Sequence, residues 1–320
     1  MPAPLEINPV YWVVFLGSIV FFLALDLGVF HRRSHEVSFR EAIGWTTLWV
    51  VVAILFGSLI APNVVPNWRA QESVEFITGY IIELSLSMDN VFVIALIFSY
   101  FGVPLRSQHR VLFWGILGAL VLRGALIWSG AELIQYFPWM LHVFGALILV
   151  TGIKMATSSD EKVEPEKNFL VRVTRRFFPV SDSFHDSQFT ILQNGRRILT
   201  PLALVLITVE TTDLIFALDS IPAIFAVTQN SFIVFTSNVF AILGLRSLYF
   251  VLAGAIGYFK HLKIGLSVVL SFIGLKMLVS SWIHVSTLVS LGVVCGILLI
   301  SIGASIYTDK VNKDTIKDSE

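Results

Sequence analysis

Ten ionisable side chains fall inside the long apolar stretches of this 320-residue chain. They are the acids Asp26, Glu83, Asp89, Glu210, Asp213 and Asp219 and the bases Arg123, Arg246, Lys154 and Lys276. If those stretches cross lipid, each ionised group costs about 2.5–3.5 kcal/mol even on the mildest insertion scales, so the set needs partners. Mutual pairing is the plainest arrangement: Arg123 and Arg246 each clamp one acid, while Lys154 and Lys276 reach toward opposite surfaces. Pairing absorbs the bases but not the acids. Six acids less four bases leave two negative charges, or four if both lysine heads reach the interface. That remainder suits a divalent cation, a cation together with protons, or carboxyls that carry protons.

The available ligands are nearly all oxygens: these carboxylates, Asn90, and hydroxyls at Ser87, Ser220, Thr211 and Thr212, with Met88 the one soft atom among them. Hard oxygen sites suit Mg, Ca or Mn, whereas Zn and Cu favour His and Cys. A thioether ligand would tilt the choice toward Mn, although Met in an apolar helix is usually packing. Helical spacing places Glu83 and Asn90, seven apart, on one face, and Asp89 about 120° away. Glu210 and Asp213 share a face that Asp219 opposes, so a regular helix cannot bring every acid to one ion. Two solutions follow. Pro222 could break its helix near Leu218 and free carbonyls beside Asp219, or two ion positions could be used in turn along a path.

The elements that must position these residues follow from composition. With 56% hydrophobic and 14% charged residues, mean hydropathy +0.81, 26 Phe and 8 Trp, the chain exceeds what one soluble core can hide. The formal charge of zero, from 22 bases and 22 acids, gives no basic field for nucleic acid. A single Cys, Cys295, removes disulfide frameworks and thiolate metal sites. The class is therefore an all-α polytopic membrane protein. Nine stretches are long enough to span: 9–30, 42–61, 73–101, 108–131, 137–156, 201–228, 232–259, 262–282 and 286–307. The first lacks a charged leader and a cleavage site and reads as a true helix. Lys and Arg crowd alternate loops, leaving only Arg69 in the others, which predicts an outside N-terminus and a cytoplasmic C-terminus. The largest loop is basic and aromatic around Arg172, Arg175, Arg176, Phe177 and Phe178, and reads as a connector lying on anionic headgroups. It also carries Asn194-Gly195 between apolar flanks, a hairpin signal.

Comparing spans three to five with six to eight exposes a repeat. Glu83 and Asp89 lie over Asp213 and Asp219, Arg123 over Arg246, and Gly152-Ile153-Lys154-Met155 over Gly274-Leu275-Lys276-Met277; the Arg-to-Lys separations are 31 and 30. Equivalent helices stand three spans apart, so the copies run in opposite directions. Inverted repeats of three plus three helices are characteristic of secondary transporters, with the site near the midplane. The chain divides as residues 1–72 (two spans), 73–156 (first repeat), 157–200 (cytoplasmic loop), 201–282 (second repeat) and 283–320 (last span and tail).

These residues also resemble a known family. The segments Thr78-Gly79-Tyr80-Ile81-Ile82-Glu83, Ser87-Met88-Asp89-Asn90-Val91-Phe92-Val93 and Phe98-Ser99-Tyr100-Phe101 are similar to the first signature of the TerC family. Val209-Glu210 and the run from Asp213 to Thr228 are similar to its second, and Thr236-Ser237-Asn238 and Phe240 to Arg246 continue the match. The likeness runs from the first span to the ninth and is nearest to the Alx-type manganese exporters. It implies a multi-pass protein of the bacterial plasma membrane that exports Mn(II), with Glu83, Asp89, Glu210, Asp213 and Asp219 handling the ion and Asp26 and Asn90 as further candidates. The family is named for tellurite resistance, yet an oxyanion would need convergent bases and here acids predominate.

The leading expectation is a secondary transporter whose cargo is a divalent metal, Mn(II), exchanged for protons, with lipid as surroundings and no organic cofactor. Two alternatives stand beside it: a membrane scaffold that delivers metal to secreted enzymes or assembles under tellurium stress, and a Ca(II)/proton exchanger. Protein partners are unassigned. No Walker A pattern and no combination of nucleophile, base and orienting group occurs, so an enzyme is not expected.

Overall fold

The structure, a computed structural model, describes residues 7–25, 38–157, 169–181, 183–185, 188–193, 196–253, 262–280, 282–283 and 285–317. With no water in the hydrocarbon to satisfy backbone N–H and C=O groups, apolar runs close their hydrogen bonds internally as helices. Helix α1 (Pro9–Leu25) is followed by α2 (Phe39–Leu55), which passes through a π-turn at Phe56–Ile60 into the short α3 (Ala61–Val64). Then come α4 (Ala70–Phe101), α5 (Leu105–Tyr136) and α6 (Met140–Thr157). Gly102 ends α4 in the left-handed conformation, φ 63°, which costs Gly no Cβ clash. After α7 (Phe169–Phe177) and the strands β1 (Thr190–Gln193) and β2 (Arg196–Leu199), the chain continues with α8 (Pro201–Phe225), α9 (Ser231–Ala253), α10 (Leu262–Val279) and α11 (Thr287–Lys317).

Nine spans were expected; among the described residues, seven helical stretches are long and apolar enough to cross a membrane. They are the α2–α3 stretch, α4, α5, α6, α8, α9 and α11. Of the other two expected spans, α1 is described over Pro9–Leu25, residues 26–30 lying outside the described ones, and α10 covers Leu262–Val279.

Helix α9 is the centre of the bundle: every residue from 232 to 245 is buried. It packs on α4, α2 and α5, while α5 packs on α8 and α6 on α10. Phe76 meets Phe240 at 5.8 Å and Phe98 meets Tyr249 at 5.5 Å between ring centroids, so α4 and α9 run side by side in the same direction. Helices α6 and α10 approach backbone to backbone. A Cβ at Gly274 would stand 2.6 Å from the Leu149 amide nitrogen and 2.7 Å from the Gly145 carbonyl. One at Gly152 would stand 2.8 Å from the Ser271 nitrogen.

The hairpin is present, with Gln193 paired to Arg196 and Thr190 to Leu199. Asn194 and Gly195, expected as its turn, lie outside the described residues. The connector is also anchored inward: Phe184 and Phe189 pack against the apolar cluster of Phe98, Val103, Leu112 and Leu202. Backbone bonds from Leu199 to Pro179 and from Thr200 to Phe189 fix it to the start of α8.

Candidate functional site

Three helices meet at one guanidinium. Arg123, in the middle of α5, is 1% exposed and buried among α4 and α8. Its Nε donates to Asp213 Oδ2 at 3.0 Å and its Nη2 to Asp213 Oδ1 at 2.9 Å, the fork geometry that suits Arg and not Lys. Its Nη1 donates to Glu83 Oε1 and, at 3.4 Å, to Ser220 Oγ. Ser87 adds a second donor to Glu83 Oε1 at 3.3 Å. Arg123 was expected to clamp one acid. It bridges two, because its fork reaches Asp213 of α8 while its remaining nitrogen reaches Glu83 of α4.

The cluster remains incomplete. Glu83 is 0% exposed, and its second oxygen, Oε2, has no hydrogen-bond partner. Glu210 lies one turn before Asp213 on α8, within electrostatic reach of it, and its buried Oε2 is likewise unpartnered. The Glu210 carboxyl rests on Gly118 of α5, where any Cβ would overlap it. A buried carboxylate oxygen without a donor is costly and awaits a proton or a cation.

The remaining acids look elsewhere. Asp219, two and a half turns beyond Glu210, accepts a hydrogen bond from Thr151 Oγ1 of α6 at 3.0 Å, with Lys154 within electrostatic range. Lys154 itself is exposed and Lys276 half-buried, with Glu75 within range of the latter. Asp89 and Arg246 are half-buried and Asn90 is buried. Asp26 lies outside the described residues. Thr211 and Thr212 donate to carbonyls of their own helix, those of Ile207 and Thr208, and Met88 packs among apolar side chains.

One expectation is corrected. Helix α8 does not break near Leu218 but runs unbroken from Pro201 to Phe225. Pro222 sits in its last turn, where only the Leu218 carbonyl loses its donor and little helix remains to be bent. Without a break, helical periodicity holds Glu210, Asp213 and Asp219 toward different neighbours. Among the described residues no three His, Cys, Asp or Glu side chains gather closely enough to hold a metal ion. Thr151 escaped the sequence reading, and Asn238 of α9, quoted there for the family resemblance and not as a site residue, is 1% exposed with both amide atoms unpartnered. Both are neutral, and a count of charges passes over them.

Comparison with known proteins places the chain. It is 48% identical over 303 residues, 95% of this chain and 94% of the relative, to the uncharacterized membrane protein STKORF319 of Myxococcus xanthus. It is 46% identical over 300 residues, 92% of this chain and 93% of the relative, to Alx of Salmonella typhi, designated a candidate membrane-bound redox modulator. Alx of Escherichia coli K12, with the same designation, is 46% identical over 299 residues, 92% and 93% of the two chains. No solved structure matches. Residues 68–313 match the family described as the integral membrane protein TerC family, and a match over that much of the chain makes this a TerC-family integral membrane protein with several membrane-crossing helices.

Proposed function

We propose that this protein is a secondary transporter that exports Mn(II) from the cytoplasm in exchange for protons, by way of the buried carboxylates of α4 and α8. The observation that carries the reading is the incomplete cluster at Arg123. Two carboxylates, Glu83 and Asp213, share one guanidinium and a third, Glu210, lies within electrostatic reach of Asp213; three less one leaves two negative charges if all are ionised. Two of their oxygens are buried without a partner. A divalent cation matches that charge, and two protons match it equally, which is the condition for exchanging one for the other. The all-oxygen donor set favours a hard or borderline ion such as Mn(II).

Asp219 with Thr151, and Asp89 at the equivalent place in α4, would form later positions along the path. Several positions used in turn fit carboxylates that helical spacing keeps apart. The two groups would be related by an inverted repeat of α4–α6 and α8–α10. Helix contacts support that relation. Gly152 of α6 faces Ser267 of α10, and Gly274 faces Gly145; exchanging repeat-equivalent positions turns the first contact into the second. Likewise Gly79 of α4 against Ser237 of α9 corresponds to Gly115 of α5 against Val209 of α8 within one residue. The bases in alternate loops support an outside N-terminus in the bacterial inner membrane. The relatives' redox designation finds no thiol–disulfide pair to work with here, since Cys295 is the one cysteine.

The test is Mn(II) uptake by purified protein in liposomes, with and without a pH gradient and against Ca(II) and Mg(II). Mn(II) movement driven by the gradient supports the reading. No cation movement by the protein alone refutes it in favour of a scaffold, and preference for Ca(II) in favour of a calcium exchanger.

A further inference from the structure

Asn238 supplies the only neutral side chain among the described residues whose buried polar atoms lack hydrogen-bond partners; the others so placed are Glu83 and Glu210. Resting on the proposed transport function, we infer that Asn238 is a further ligand of the passing divalent cation, giving its Oδ1 to the metal and its Nδ2 to a water or carboxylate of the metal's shell. An amide left wholly unpaired in a protein interior costs about 1–3 kcal/mol per group, so a structure that keeps one holds it for a guest. The partner cannot be lipid or bulk water, because α9 is buried on all sides from residue 232 to 245. It is not the helix's own backbone either. The preceding hydroxyls take that option, Thr236 donating to the Phe232 carbonyl and Ser237 to that of Val234, whereas Asn238 does not.

Position along the bundle brings Asn238 to the level of the carboxylates. Ser237 Oγ stands 2.9 Å from where a Cβ of Gly79 would be, so α9 and α4 are in contact at that level. The helices run in the same direction, and Glu83 lies four residues past Gly79, about 6 Å along α4. Asn238 is one residue past Ser237 and therefore lies within a turn of Glu83 along the bundle axis. The repeat equivalent of Asn238 is Gly115, next to the α8 turn that carries Glu210. One half would thus offer the ion a charged oxygen at this level and the other half a neutral one. A neutral ligand lets the ion bind without deepening the negative charge that must be neutralised again when it leaves.

The experiment uses the full-length protein with Asn238→Leu, similar in size without polar atoms, and Asn238→Asp, which keeps the oxygen. Mn(II) uptake is measured over a concentration series in proteoliposomes, Mn(II) binding in detergent by loss of the free-ion electron paramagnetic resonance signal, and thermal stability on the same preparations. Asn238→Leu should raise the KM for Mn(II) about tenfold, equivalent to about 1.4 kcal/mol, weaken binding in step, and leave stability equal or higher. Asn238→Asp should bring KM back toward the parent value. A Leu variant with unchanged KM and binding, one that is destabilised or fails to fold, or equal defects in the Leu and Asp variants would each overturn the inference. The unaltered protein is the control for transport itself: if it moves and binds no Mn(II), the proposed function fails first.

Discussion

Arg123→Met tests whether the guanidinium holds the bundle together. The substitution keeps a long side chain in a site 1% exposed and removes the donors to Glu83, Asp213 and Ser220. Two buried carboxylates are left facing each other without a cation. Removing one partner of a buried ion pair costs about 3–5 kcal/mol, and at about 1.36 kcal/mol per tenfold that shifts the folded-to-unfolded ratio by between two and nearly four powers of ten. The assay is the fraction of fluorescently tagged protein that stays monodisperse on size exclusion after heating in detergent. Arg123→Met should give lower yield and a clearly lower melting midpoint. Combining it with Glu83→Gln and Asp213→Asn removes the uncompensated charge, and the triple variant should recover most of the stability while moving no Mn(II). An Arg123→Met protein as stable as the parent would refute the reasoning, and a loss of transport alone would make Arg123 a transport residue and not a clamp.

Three further outcomes are expected. Asp219→Asn keeps an oxygen to accept from Thr151, so it should fold normally and lose Mn(II) uptake at least tenfold, as should Asp89→Asn; normal uptake by both removes them from the path. Gly118→Ala places a methyl where the Glu210 carboxyl rests, so that flexible group should swing aside and uptake should fall with a melting midpoint within a few degrees of the parent; unchanged uptake would detach Glu210 from transport. Gly274→Ala meets backbone of α6 at 2.6–2.9 Å, which no side-chain motion relieves, and should cost about 1–3 kcal/mol of stability in the heating assay; a neutral result would show that α6 and α10 can separate.

The residues that meet at Arg123 were legible as candidates because lipid makes charge expensive: acids and bases in apolar helices mark themselves, and the structure brings Glu83, Asp213 and Arg123 together. Which acids Arg123 would take was not legible, since Glu83 is 40 residues away and Asp213 is 90, and sequence spacing sets faces within one helix and not which helices meet. Pro222 misled for a related reason. A proline's effect depends on how much helix follows it, and α8 ends at Phe225, three residues after Pro222. Asn238 and Thr151 were not singled out as site residues because a neutral polar residue in a helix usually bonds its own backbone, as Thr78, Thr208 and Thr236 do.

The close approach of α6 and α10 limits how such a molecule could move. With Gly145, Gly152 and Gly274 letting main chains touch, there is no layer of side chains between these helices to act as a lubricant, and sliding one past the other by a single residue would drive Cβ atoms into backbone. If the proposed exchange opens one face of the bundle and then the other, this pair would turn as one body, with the shear falling on looser contacts such as α5 against α8, where only the carboxyl of Glu210 rests on Gly118.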